Sequence, residues 1–439
     1  MEPYQTYLKN HVGKTHRVAV HLDNSDGWLQ IDRILTQQQA VIVPIPHFFS
    51  HKQIQHMIDV AGVDRVVCNT AAEPLWQSYG FDTVTGFPGS FTLMARKLNR
   101  YPPLPAQTHK ITFTSGTTNE PKGVCLSLPH LQAVGQSLAQ VTNQFKVKKH
   151  LCVLPLSVLL ENVAATHAAE KANISVMAPP LAELGLSGSS GLDIMKLIAA
   201  ISHYRPDSLI LMPQMLKAII TVIASQADID LSFLKFIAVG GAVCSKGLLS
   251  KAKQCKLPVY EGYGISECGS VISLNTDPNK LGSVGKILPH QQVKINPDGE
   301  ILTKGNLFIG YLGQDSYNSR QGNEWYATGD LGRFDKDNSL HIIGRKKNVI
   351  INSFGRNISP DWIEAELLSI SEIQQAVVYG ESQPYLTAIC VSSSSQAQLY
   401  KKIENLNLSL PDYAQVKQLL VSKRAFTVEN NMLTASGKA

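Results

Sequence analysis

Ten residues, Thr114 to Gly123 (TSGTTNEPKG), carry four hydroxyls (Thr114, Ser115, Thr117, Thr118), two glycines (Gly116, Gly123) and one lysine (Lys122), directly after the alternating Lys110-Ile111-Thr112-Phe113. This is the composition of a loop that wraps a polyphosphate. Glycine lets the backbone approach the ligand, hydroxyls and N–H groups donate to phosphate oxygens, and lysine supplies a point charge. The G-x-x-x-x-G-K-[ST] order of a Walker loop is absent. A Ser/Thr/Gly cluster by itself is also an ordinary turn, so the stretch gains meaning only in company with other polar blocks of the chain.

Downstream come Tyr260-Glu261-Gly262-Tyr263-Gly264-Ile265-Ser266-Glu267, Tyr326-Ala327-Thr328-Gly329-Asp330, Gly344-Arg345-Lys346-Lys347, Gly355-Arg356-Asn357-Ile358-Ser359-Pro360 and Thr434-Ala435-Ser436-Gly437-Lys438. In this order, with TSGTT and PKG ahead of them, the blocks resemble the adenylate-forming superfamily of acyl-CoA synthetases, nonribosomal peptide synthetase adenylation domains and firefly luciferase. The resemblance runs from about Arg17 to the last residues. It is closest in kind to fatty acyl-CoA synthetases and acyl-AMP ligases.

The resemblance implies an ATP- and Mg²⁺-dependent ligase that converts a carboxylate to an acyl-adenylate, releases pyrophosphate and passes the acyl group to a thiol. A carboxylate resists nucleophiles until it carries AMP as a leaving group, so such a site must align the reactants and neutralise the charge that gathers between them. By resemblance, Thr114, Ser115, Gly116, Thr117, Thr118 and Lys122 hold the β- and γ-phosphates. Asn119 stands where relatives have glycine and tolerates the left-handed turn better than most side chains. Glu267 takes the Mg²⁺, a hard ion that prefers carboxylate and phosphate oxygens. Ser266 bonds the α-phosphate, and Tyr263, within Glu261-Gly262-Tyr263-Gly264, offers adenine a flat face. Gly240-Gly241-Ala242 forms a floor with little side chain. Asp330 accepts from the ribose hydroxyls and Arg345 reaches ribose or phosphate. Lys438 bridges carboxylate and phosphate during adenylation. Lys347 marks the hinge about which a small domain turns, and Gly355 lines the path of a pantetheine arm.

For the acid, Leu154-Pro155-Leu156-Ser157-Val158-Leu159-Leu160-Glu161-Asn162 resembles a segment of long-chain acyl-CoA synthetases. Val158 occupies the position of a family histidine, while Glu161 is retained. Val158, Leu159, Leu160 and Val163 read either as an acyl-tunnel wall or as the core side of one helix. A fatty or other hydrophobic acid is the first expectation. The acceptor is free CoA or the phosphopantetheine of a separate acyl carrier protein, because no Leu-Gly-Gly-x-Ser stretch marks a built-in carrier. Two alternatives stand beside this: an aryl-acid or acyl-AMP ligase that loads a carrier protein, and a nucleotide-binding protein of the same fold with reduced catalysis.

Periodicity supplies the scaffold under these residues. Strand-like Arg17–Leu22, Ala40–Pro44 and Asp64–Cys68 alternate with helical 28–38 and 50–61. The rhythm returns at 150–154, 206–212 and 234–241 and predicts parallel α/β layers. From 283 to 343 short strands and tight turns predict antiparallel β, read as a β-barrel. The expected organisation is a large N-terminal domain over 1–345 and a small mobile α+β domain over 346–439, with a helix from Pro360 to Leu368. A net charge of +6 over 439 residues is mild and argues against a nucleic-acid partner. Seven scattered cysteines without C-x-x-C suit reduced thiols. No apolar run is long enough to span a bilayer and the start lacks a signal-peptide pattern, so the expected location is the cytoplasm.

Overall fold

The computed structural model describes residues 4–114, 121–188, 191–225, 229–313, 324–427, 430 and 432. Ser115, Gly116, Thr117, Thr118 and Lys438 lie outside the described residues.

The hydrophobic runs become buried strands because both faces of each sheet are covered. The first sheet has eight strands, in the order Gly310–Tyr311, Lys122–Ser127, Thr108–Thr114, Val41–Pro44, Arg17–His21, Arg65–Asn69, Phe91–Ala95, Asp82–Val84. Its four central strands, from Thr108–Thr114 to Arg65–Asn69, run parallel. Along Arg17–His21 the side chains alternate between two cores: Val18 and Val20 join Trp28 and Ile31, whereas Ala19 joins Met57 and Trp76. The second sheet runs Lys286–Ile287, Ser273–Leu274, Val259–Tyr263, Phe236–Val239, Ser208–Leu211, Lys149–Leu151, Ser175–Met177, and its last five strands are parallel.

Serines start the intervening helices. Ser25, Ser127 and Ser245 accept hydrogen bonds from the backbone N–H of Trp28, His130 and Leu248, and Ser50 forms a reciprocal capping box with Gln53. Ser25 starts the helix at Asp26, two residues before the sequence expectation.

The antiparallel region lies where short strands and tight turns place it. Among the described residues it is a four-stranded sheet in the order Gln291–Ile295, Glu300–Gly305, Tyr326–Phe334, Leu340–Arg345. Neighbouring strands of the region pair elsewhere: Gly310–Tyr311 joins the first sheet and Lys286–Ile287 the second. The segment before Lys286 nevertheless bridges back to the last strand of this sheet, Gly285 opposite Leu340, and Val284, Ile301 and Leu340 share one small core. Beyond it, a three-stranded sheet (Gln375–Tyr379, Leu386–Val391, Val416–Ser422) packs with helices Pro360–Leu368 and Gln396–Asn407 around a separate core that includes Ile363, Leu367, Leu386 and Leu399. This is the smaller C-terminal domain. Among the described residues no helix is long and apolar enough to cross a membrane.

Candidate active site

The parallel strands of both sheets end toward a common region, and in open α/β folds the loops leaving those ends bind ligands. The Thr108–Thr114 strand ends at Thr114, whose register partner is Lys122 on the returning strand. The two described ends of the hydroxyl-rich loop therefore form the mouth of a hairpin. His56 Nε2 lies 3.2 Å from the Pro121 carbonyl oxygen beside it.

The second sheet delivers a different set. Phe236–Val239 runs into Gly240-Gly241-Ala242, and Val259–Tyr263 carries Glu261 and Tyr263 on one face. Gly264 is forced by space, since a Cβ there would sit 1.7 Å from the Ser270 carbonyl oxygen. Tyr263 Oη donates to Asp330 Oδ2 at 2.7 Å, while Arg345 Nε donates to Asp330 Oδ1 at 2.8 Å. Asp330 and Arg345 are cross-strand register partners, so the pair is set by the sheet itself. Gly329 precedes Asp330 with φ +75°, a conformation that favours glycine. Asp330 is buried.

Glu261 is buried, and its Oε2 makes no hydrogen bond among the described residues. Burial pushes its carboxyl up to about 7, against one opposing bond from the Cys244 backbone N–H. A buried carboxyl oxygen without a partner is costly unless something else supplies a donor.

Glu267 sits in a short 3₁₀ turn, Ser266–Cys268. Tyr311 Oη donates to Glu267 Oε1 at 2.6 Å and lies 3.1 Å from Tyr326 Oη. Burial, then the bond to Glu267, raises the Tyr311 phenol far above its ordinary range, so it stays a neutral donor.

Between these groups and the C-terminal domain lies a cleft of about 2760 Å³. Of the residues singled out from sequence, it is lined by Gly241, Ala242, Glu261, Gly262, Tyr263, Gly264, Asp330 and Arg345. Gly240, Ser266, Glu267, Thr114 and Lys122 are outside its lining. Lys347 is exposed in the Lys346–Asn348 turn that follows Arg345. Gly355 sits in an open loop where an added Cβ meets nothing within 4 Å, and its neighbour Phe354 is 72% exposed.

The acid segment divides. Val158 and Leu160 are half-buried, but Leu159 and Val163 belong to the core against the Leu128–Gln144 helix. Glu161 is fully buried: Oε1 lies 2.8 Å from His150 Nε2 and Oε2 accepts from the Leu154 backbone N–H at 2.9 Å. His150, Cys152 and Glu161 group their ligand atoms within 4.8 Å. However, Glu161 and His150 bond each other directly at 2.8 Å, and burial pushes the Cys152 thiol well up, away from the thiolate a metal needs. The trio is a hydrogen-bonded anchor.

Sequence reasoning assigned no role to Tyr311 or His150. Tyr326 stood in a quoted block without a role, and only its position one strand from Tyr311 gives it one.

Residues 6–312 match the family model described as AMP-binding enzyme. The long-chain-fatty-acid–CoA ligase FadD15 of Mycobacterium bovis is 27% identical over 332 residues, covering 64% of this chain and 53% of that protein. The 2-succinylbenzoate–CoA ligase of Bacillus licheniformis is 29% identical over 284 residues, covering 62% and 56%. The chain thus spans about half the length of the curated relatives it matches. Among solved structures, the anthranilate CoA ligase AuaEII in complex with anthranoyl-AMP aligns with TM-score 0.80 at 17% identity, over 99% of this chain and 88% of that one. The o-succinylbenzoate CoA synthetase of Bacillus subtilis with ATP and magnesium aligns with TM-score 0.74 at 20% identity, over 99% and 90%. These likenesses establish the shared fold. With its family model matched over more than half its length, this chain belongs to the AMP-binding enzyme family, within the adenylate-forming superfamily that its ordered blocks resemble.

Proposed function

We propose that the protein is an ATP-dependent carboxylate–thiol ligase, which forms an acyl-adenylate with release of pyrophosphate and transfers the acyl group to CoA or to a carrier-protein thiol. What supports this reading is one wall of the cleft, where Asp330 is pinned by Tyr263 and Arg345 and the lining residue Glu261 has a buried oxygen without a donor among the described residues. An adenine 6-amino group has the hydrogen that Glu261 lacks.

In this reading Asp330 accepts from the ribose hydroxyls and Tyr263 lies against the base. The hairpin mouth at Thr114 and Lys122 leads into the phosphate-holding loop. Glu267, oriented by Tyr311, is the residue for Mg²⁺; the ion when bound neutralises phosphate charge. Arg345 adds positive charge at the cleft, and Lys438 is the proposed cation for the carboxylate–phosphate junction. The named activities of relatives, fatty-acid–CoA, 2-succinylbenzoate–CoA and oxalate–CoA ligases, support CoA as acceptor and span apolar and polar acids alike.

The test is acid-dependent pyrophosphate release with hydroxylamine trapping of the acyl-adenylate, over short, medium and long-chain and aromatic acids, beside Lys438→Ala. Release with one acid class, lost by orders of magnitude in the variant, is the expected outcome. ATP binding with no release for any acid would overturn the ligase reading and favour a nucleotide-binding protein with reduced catalysis.

A further inference from the structure

The three-stranded sheet of the C-terminal domain uses its two outer strands differently. Gln375–Tyr379 lines the cleft along its whole length, whereas Val416–Ser422, at the opposite edge, contributes nothing to the lining among the described residues. By register, Gln375, Val391 and Ser422 stand in one row across the sheet. The chain therefore leaves its last strand two strand spacings, about 10 Å, from the cleft edge. It then turns back. Ser422 Oγ donates to the Arg424 carbonyl at 2.8 Å and accepts from the Arg424 N–H at 3.1 Å, a tight hydroxyl-stabilised turn. Two residues later Phe426 has crossed the end of the sheet and lies beside Gln375, 51 positions away in sequence.

The Gln375 amide holds Phe426 by both of its backbone groups. Nε2 donates to the Phe426 carbonyl at 3.0 Å, and Oε1 accepts from the Phe426 N–H at 2.7 Å. One side chain thus supplies the donor and the acceptor that a neighbouring strand would otherwise offer. Phe426 is buried and, like Gln375, lines the cleft. Beyond it the chain closes on itself: the Thr427 N–H donates to Asn430 Oδ1 at 2.9 Å, Asn430 Nδ2 to the Ala425 carbonyl at 2.9 Å, and the Met432 N–H to the Thr427 carbonyl at 3.1 Å. The C-terminal segment thereby has a hydrogen-bonded root, tied to the cleft edge by one glutamine. Lys438 follows Met432 by six residues, a reach of at most about 22 Å.

We propose that Gln375 is a positioning residue for adenylation, fixing Phe426 at the cleft so that the segment carrying Lys438 starts there and not at the far edge of the sheet. This rests on the ligase reading above, in which Lys438 is the cation at the carboxylate–phosphate junction. Gln375 acts through that segment and is assigned no contact with the reacting atoms. Its amide is matched to the peptide it holds. A leucine of similar volume loses both bonds, and a glutamate keeps the acceptor for the Phe426 N–H but sets an oxygen against the Phe426 carbonyl.

A double-mutant cycle separates positioning from simple stability. Pyrophosphate release is measured with acetate, octanoate, palmitate and benzoate for wild type, Gln375→Leu, Gln375→Glu, Lys438→Ala, and Gln375→Leu combined with Lys438→Ala. In Gln375→Leu kcat should fall about tenfold while KM for ATP stays within about twofold, and Gln375→Glu should lie between it and wild type. With Lys438 already replaced, Gln375→Leu should cost less than about twofold more. Exchange of the Phe426 amide hydrogen should quicken at least about tenfold in Gln375→Leu. If Gln375→Leu fails to fold, Gln375→Glu carries the same cycle. An equal cost with and without Lys438, a loss that lies in KM for ATP, unchanged exchange at Phe426, or full activity in Gln375→Leu would each overturn the proposal alone. Wild type that binds ATP but releases no pyrophosphate with any of these acids would bring down the ligase reading, and this proposal with it.

Discussion

The two faces of the cleft are held by different kinds of bonds. On the large domain, Asp330 and Arg345 lie on paired strands whose register fixes their spacing, Tyr263 reaches Asp330 from a strand of the second sheet, and Glu267 is steered by a tyrosine from a separate strand. On the C-terminal domain the attachment runs through long side chains. Lys217 Nζ donates to the carbonyls of Ile370 and Ile373, and Lys251 Nζ to that of Ser369, all just past the Pro360–Leu368 helix. The Glu366 carboxyl accepts from the Lys246 backbone N–H. Groups that must stabilise charge are thereby pre-set, where electrostatic catalysis gains most. The C-terminal domain, which on the proposed reading turns, is held by lysine ends on helix-terminal carbonyls, bonds that water can replace.

If that contrast is right, damage to the first face should be severe. Asp330→Ala removes the proposed ribose acceptor and leaves Arg345 without this carboxylate. Pyrophosphate exchange is expected to fall about 10²–10³-fold, roughly 3–4 kcal/mol. A loss under fivefold would show that the pinned carboxylate does not serve the nucleotide. Glu267→Gln keeps the shape and an acceptor for Tyr311 but removes the negative charge that a hard cation prefers. Its expected signature is a fall of about 10²-fold, partly recovered by raised Mg²⁺, with Tyr311→Phe costing about tenfold. An Mg²⁺ response identical to wild type would remove Glu267 from the metal site.

Glu261 sharpens the same face thermodynamically. Its carboxyl stands at about 7 in the fold against an ordinary 4.5, so the folded protein binds the extra proton. Between those values stability should fall as pH rises, and level off above about 7, by roughly 3 kcal/mol in all. Glu261→Gln should flatten this slope. Denaturant melts of both proteins from pH 4.5 to 8 would show it, and parallel curves would mean that the carboxyl is solvated.

The α/β rhythm was legible because strands buried on both faces read as continuous apolar runs, and Ser-started helices announce themselves. The helix Pro360–Leu368 is found where proline at its first position places it. The true pairing of the antiparallel region was not legible, because whether Gly310–Tyr311 pairs within its own region or with Lys122–Ser127 depends on contacts far apart in sequence. The residues of the proposed nucleotide wall stood in motifs, each a short run of glycines and polar groups, and eight of those singled out line one cleft. Tyr311 was not legible, since it acts on a carboxylate more than forty residues away. The acid segment showed its apolar character, but only packing tells Leu159, in the core, from half-buried Val158.

The smallest expected effect tests the second face. Burial, then the charge of Lys251, lowers the Lys217 ammonium to about 8 from an ordinary 10.5, with Glu372 opposing. The docked arrangement therefore binds fewer protons than a detached one, in which Lys217 returns to water. Docking should tighten as pH rises from about 8 toward 10.5, and be independent of this group below about 8. A donor–acceptor dye pair, one dye on each domain, reads the docked population directly. Lys217→Met should flatten the pH response. It should also shift the resting population a few-fold while leaving pyrophosphate exchange within about threefold, because the nucleotide wall does not pass through Lys217. An exchange rate that fell as far as in Asp330→Ala would erase the distinction between the faces, since the lysine contacts would then be part of the pre-set site and not the releasable attachment beside it.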